Sequence, residues 1–151
     1  MIDATARTHV LVVRIGGSLG ALPIGDVVET MRPLPTQPVT GMPPFVTGLA
    51  LVRGLPIPVV NLSQLVAGEA RTAPSRFVTV RLGARHAALA VDEVLGVRAL
   101  DSTRLGEMPP LAGTHHVEAL GGLDDRLLLL LEGSRLLLAD VERALDAQGP
   151  V

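Results

Sequence analysis

Gly48-Leu-Ala-Leu-Val-Arg-Gly54 runs directly into Leu55-Pro-Ile-Pro-Val-Val-Asn-Leu62. Both segments are short and apolar, and Arg53-Gly54 between them reads as the tight turn of a β-hairpin. Pro56 and Pro58 are two residues apart, so their missing N–H groups fall on one flank of the strand. That flank is expected to be unpaired, as at an edge or a barrel rim. Arg53 and the two prolines also prevent the apolar stretch 45–62 from crossing a membrane as a helix.

Working outward, His9-Val-Leu-Val-Val-Arg-Ile15 ends at Gly16-Gly17 and residues 19–24 return as a second strand. Gly25-Asp26 turns into Val27-Val28-Glu29-Thr30-Met31, and prolines 33, 35, 38, 43 and 44 make the following stretch an irregular, semi-rigid loop. Residues 67–75 (AGEARTAPS) are small and polar and form the best boundary between two halves. Beyond them, Val78, Val80 and Leu82 alternate with Thr79 and Arg81, which predicts a half-buried strand with the latter two facing out. Gly83-Ala84 turns the chain, residues 86–91 return, and 92–98 continue as a third strand. Pro109-Pro110 interrupts the pattern before further strands near 117–120, 126–131 and 135–138, and 140–147 reads as a helix with Asp140 as N-cap and Val141 and Leu145 on one face. Short strands punctuated by glycine and proline turns predict an all-β fold, built as two small barrels around one linker.

The 151 residues suffice for one domain or two very small subdomains. With 48% hydrophobic residues before its 16 glycines are counted, the chain is too apolar for disorder. All thirteen basic residues are Arg, fifteen are acidic, and Phe45 and Phe77 are the only aromatic residues. A net charge of -2 and the lack of stacking rings argue against nucleic acid as a partner. The absence of Cys excludes disulfides and thiolate metal sites. The first apolar run, 10–13, stops at Arg14 and is too short for a signal peptide, so a cytoplasmic protein is expected, with no direct membrane insertion.

No catalytic, cofactor or metal site is expected. His115 and His116 are neighbours and diverge in any regular structure, so they cannot jointly hold a metal as an i, i+4 pair does. Asp92-Glu93 and Asp124-Asp125 are adjacent pairs that read as solvated charges. Ser18, Ser63, Ser75 and Ser134 lie in no nucleophile elbow, and Gly16-Gly17-Ser18-Leu19-Gly20 lacks the Lys of a phosphate loop. Three residues stand out instead. Glu29 is the lone carboxylate of residues 27–31, Arg53 is a planar cation among apolar neighbours, as in interface hot spots, and Gly48 allows a close backbone approach.

In order and spacing, these segments resemble the CheW-like family of chemotaxis coupling proteins over roughly residues 9–138. The likeness is carried by Leu22-Pro23-Ile24 with Val27-Val28-Glu29, by Pro43-Pro44-Phe45-Val46-Thr47-Gly48, and by Leu51-Val52-Arg53-Gly54-Leu55-Pro56-Ile57-Pro58-Val59-Val60-Asn61-Leu62. Ala90-Val91-Asp92-Glu93-Val94 is similar to the family's V-D-x-V segment. Gly20 and Ala87 stand where many members carry aromatic residues, and Asn61 stands where an aspartate is common.

The resemblance implies two intertwined five-stranded SH3-like β-barrel subdomains sharing a hydrophobic core, with a short C-terminal helix. It places one domain at 8–140, with subdomains at about 8–66 and 76–138, a linker at 67–75, and the helix and tail at 140–151. It also implies a non-enzymatic adaptor whose partners are the regulatory domain of a CheA-type histidine kinase and the cytoplasmic tip of chemoreceptors. Carried over by position, the interaction residues are Val27, Glu29, Gly48, Arg53, Gly54 and Val94. Two alternatives stand beside this reading: a divergent member that binds another signalling partner, and a small β-barrel that binds an apolar ligand.

Overall fold

The computed structural model describes residues 7–67, 74–82, 84–101, 106–107, 117–123 and 126–131. Within them the chain forms β1 (Arg7–Ile15), β2 (Ser18–Pro23), a 3-10 turn (Ile24–Asp26), β3 (Val27–Met31), β4 (Thr36–Gln37), β5 (Val46–Val52) and β6 (Leu55–Asn61). There follow α1 (Leu62–Ala67), β7 (Arg76–Leu82), β8 (Arg85–Val91), β9 (Glu93–Asp101), β10 (Gly106–Glu107), β11 (Val117–Leu123) and β12 (Arg126–Leu131). The strands assemble into two sheets, ordered β10-β11-β12-β2-β1-β9 and β3-β7-β8-β6-β5-β4. Each has five strands of at least five residues and a two-residue strand at one edge, in keeping with the five-stranded subdomains expected.

The chain crosses between sheets twice, at the 3-10 turn and at Asp92. Strands from the two halves therefore interleave. β1 and β2 join β9 to β12, while β7 and β8 pair with strands from the first half. Residues 67–75 link α1 to β7 within one sheet, and the sheet changes occur elsewhere.

The hairpins follow from their turns. Gly16, at φ 59, opens the two-residue β1–β2 turn, as a type II′ hairpin requires. Arg53 and Gly54, at φ 52 and 81, both adopt the left-handed conformation of a type I′ turn, which matches the right-handed twist of β5 and β6.

Side-chain alternation sorts the core into three parts. Leu11, Val13 and Ile15 of β1 meet Val60, Val78, Val80, Ala87, Leu89, Val91, Leu62 and Leu65 in a cluster shared by both sheets. The opposite face of β1, with Val10 and Val12, joins Leu19, Ala21 and Leu100 in a second cluster confined to the first sheet. Ala50, Ile57, Val59, Phe77, Ala88 and Ala90 form the corresponding third cluster in the second sheet. Among the described residues, each sheet thus carries a small cluster of its own on one face and supplies the shared cluster from the other, an arrangement compatible with SH3-like subdomains. Ala87, which stands in place of an aromatic residue, is fully buried in the shared cluster.

Several local expectations are corrected. β4 lies inside the proline-rich loop, where a two-residue register with β5 pairs Thr36 with Ala50 and Gln37 with Leu49. Residues 62–67 form a helix, because Asn61 Oδ1 accepts hydrogen bonds from Gln64 N–H at 3.0 Å and Ser63 Oγ at 2.8 Å. β6 is an edge only in its first half. The type I′ turn directs Leu55 and Ile57 toward β5 and the proline nitrogens away from it, and β8 joins that flank only from Val59 onward. Thr79 does not face solvent but is buried opposite Val78 and Val80. The predicted helix at 140–147, the strand at 135–138, His115, His116, Asp124 and Asp125 lie outside the described residues.

Candidate interaction surface

The hydrogen-bonded order of the second sheet separates β3 from the β5–β6 hairpin by β7 and β8, yet curling brings them together at one point. Arg53, at the hairpin tip, donates from Nε to Glu29 Oε1 at 3.0 Å and from Nη2 to Glu29 Oε2 at 2.7 Å. This is the two-pronged guanidinium–carboxylate pair, the geometry that makes Arg distinct from Lys. The Arg53 side chain is 77% exposed and that of Glu29 28%. The hydrogen bond from Arg53 holds the Glu29 carboxyl below its ordinary value of 4.5; lost solvation opposes this, and the Arg53 charge adds a lesser lowering effect. The same hydrogen bond and charge hold the Arg53 guanidinium above its usual value.

Thr79 fixes the backbone of Glu29. Its hydroxyl accepts from Glu29 N–H at 3.2 Å and donates to Glu29 C=O at 3.3 Å, at a place where the β3–β7 register shifts. One buried hydroxyl thereby satisfies both polar groups of a residue in a disturbed ladder. Period-two alternation assigns Thr79 to solvent and carries no sign of this role.

Two large apolar side chains of the hairpin are exposed close to its turn. Leu51 and Leu55 flank the turn at 68% and 61% exposure. Leu51 also lines a groove of about 360 Å³ with Leu49, Pro35, Thr36 and Gln37 on the outside of β4 and β5. The register pairs Leu55 with Val52 and Leu51 with Pro56, so the two exposed leucines lie on opposite faces of the hairpin that carries Arg53 at its tip.

The remaining residues singled out by sequence are placed as follows. Gly54 completes the turn. Gly48 is buried in β5, at φ 155, and a Cβ there would lie 2.1 Å from the Gln37 carbonyl oxygen, so its bare backbone is what lets β4 dock. Val27, two residues before Glu29 on β3, and Val94, on β9 of the other sheet, are both half-buried and pack against the shared cluster. Glu29, Arg53 and Gly54 form one constellation; Gly48 lies within the same hairpin, and Val27 and Val94 meet the core margin rather than the ion pair. Asp92 and Glu93, read as solvated charges, are engaged: Asp92 Oδ2 accepts from Gly16 N–H at 2.6 Å and Glu93 pairs with Arg14 at 3.1 Å.

Comparison with known proteins agrees with this architecture. Residues 9–141 match the model of the CheW-like domain family. The chain is 30% identical over 138 residues to Protein FrzA of Myxococcus xanthus, covering 87% of this chain and 86% of that one. It is 26% identical over 113 residues to Chemotaxis protein CheW of Klebsiella aerogenes, covering 72% and 68% respectively. The crystal structure of scaffolding protein TtCheW from Thermoanaerobacter tengcongensis superposes with a TM-score of 0.75 at 25% identity, over 84% of this chain and 90% of that chain.

Proposed function

The chain belongs to the CheW-like domain family, and from that premise we propose that it is a non-enzymatic adaptor joining a CheA-type histidine kinase to the cytoplasmic tip of chemoreceptors. The observation that carries this reading is the Arg53–Glu29 pair at the tip of the β5–β6 hairpin, between Leu51 and Leu55. A surface ion pair so open to water adds little to stability. The type I′ turn sets the left-handed conformation of Arg53 and holds its guanidinium at the hairpin tip, open to a partner. Gly48 and Gly54 shape the hairpin that carries the pair, and Val27 and Val94 stand in the same proposal as further interaction positions at the margin of the shared core. The names of relatives, a chemotaxis protein and a scaffolding protein, favour this assignment.

The adaptor acts in the cytoplasm, alongside receptor arrays. Among the described residues no helix is long and apolar enough to cross a membrane.

Calorimetric titration of the full chain with a CheA-type regulatory domain from the same genome tests the proposal. Saturable binding by the wild type is expected, weakened about tenfold or more by Arg53→Glu and partly regained in the Arg53→Glu, Glu29→Arg exchange. A wild type that binds neither that domain nor a receptor tip fragment would refute receptor–kinase coupling and favour a different signalling partner.

A further inference from the structure

We propose that Asp92 is a positioning residue that sets the angle between the two sheets, and so allows the adaptor to hold two partners at once. The inference rests on the adaptor reading given above. Asp92 is where the chain leaves β8 in one sheet and enters β9 in the other.

Contacts from both sides converge on this crossover. From the first sheet, the β1–β2 turn donates Gly16 N–H to Asp92 Oδ2 at 2.6 Å, while Asp92 N–H donates to the Arg14 carbonyl at 3.0 Å. The Arg14 side chain then pairs with Glu93 at 3.1 Å. From the second sheet, Ser75 N–H donates to the Val91 carbonyl at 3.1 Å, and the Ser75 hydroxyl donates to the Asp92 carbonyl. The residue is therefore tied through its carboxylate, its N–H and its C=O.

The shared core supplies a constraint of a different kind. Its buried members are all Leu, Val, Ile and Ala, and burial of aliphatic surface is non-directional. Such packing holds the sheets together without specifying a hydrogen-bond geometry between them. A charged acceptor on a backbone N–H has a narrow range of distance and angle, so it fixes orientation as well as contact. If the two partners dock on different sheets, that angle decides whether both fit simultaneously.

The chain has no Cys, so Thr47→Cys in β5 and Ala99→Cys in β9, both exposed, place one spin label on each sheet. Electron–electron distance measurements on this pair should give a narrow distribution in the wild-type background, a clearly broader one with Asp92→Ala, and a near-wild-type one with Asp92→Asn, which keeps an acceptor oxygen. Alongside, Asp92→Ala should bind the kinase regulatory domain and the receptor tip fragment singly with little change, while three-component assembly falls about tenfold. Should Asp92→Ala not fold, Ser75→Ala carries the same test with a smaller broadening expected. An unchanged distribution, or equal loss of each single affinity, would overturn the inference and leave Asp92 as a stability residue. If the wild type binds neither partner, the adaptor reading fails, and the distance distributions still decide whether Asp92 sets the angle.

Discussion

Arg53 and Glu29 show how a charge pair of small energetic consequence can still organise a surface. Their two parallel hydrogen bonds fix the guanidinium plane, and Thr79, from beneath, fixes the backbone that carries the carboxylate. Thr79→Val, which keeps the shape and removes the hydroxyl, should cost about 1 kcal/mol in denaturant unfolding and weaken kinase binding, whereas Thr79→Ser should retain both. Equal behaviour of the Val and Ser variants would show that the hydroxyl holds nothing in place. The lowered pKa of Glu29 gives a second expectation with a definite sign. Because the folded value lies below the ordinary 4.5, the pair's stabilisation is complete above pH 4.5 and is lost as pH falls through the folded value. Acid unfolding of wild type against Glu29→Gln should therefore show a gap that is constant near neutrality and closes only below about pH 4.5. A gap that widens on acidification would contradict the ion pair.

At the level of elements, the β5–β6 hairpin was legible in advance because its information is local. Two short apolar segments meet at Arg53-Gly54, and the type I′ turn needs no distant partner to form. β4 was not legible, because two residues between prolines carry no periodicity, and their strand character comes only from pairing with β5. Gly48 is the reason that pairing exists. Gly48→Ala should push β4 off β5, since its Cβ would meet a backbone carbonyl rather than a yielding side chain. A destabilisation of about 1–3 kcal/mol is expected, together with faster amide exchange in residues 36–37 and 49–50. Unaltered exchange in this segment would mean that β4 tolerates the methyl group. Helix α1 shows the same division between local and distant information. Asn61 is a recognisable N-cap, but only the placement of Leu62 and Leu65 in the shared core makes six residues worth winding into a helix.

For the molecule as a whole, the shared cluster joins two curled sheets into one cooperative unit. Leu62 is fully buried there, beside residues of β1, β6, β7 and β8. Leu62→Ala should cost about 2–5 kcal/mol, and because both sheets line the cavity, calorimetry should show one transition moved down as a unit. Two transitions, only one of them shifted, would show that the sheets unfold independently.

The sequence by itself determined the strand-rich character, the two hairpin turns and the likeness to the CheW-like family. These follow from alternation, turn chemistry and composition, which act over a few residues or over the whole chain average. It also singled out Arg53, Glu29 and Gly48, each by its contrast with its neighbours. Tertiary structure decided that Glu29 and Arg53, 24 positions apart, face one another, and that Asp92 reaches Gly16 across 76. It likewise decided that Thr79 turns inward and that the sheets exchange strands. The physical reason is that non-local pairing depends on how each sheet curls to bury both of its apolar faces, and a strand that is apolar on both sides carries no local mark of which neighbour each face will meet.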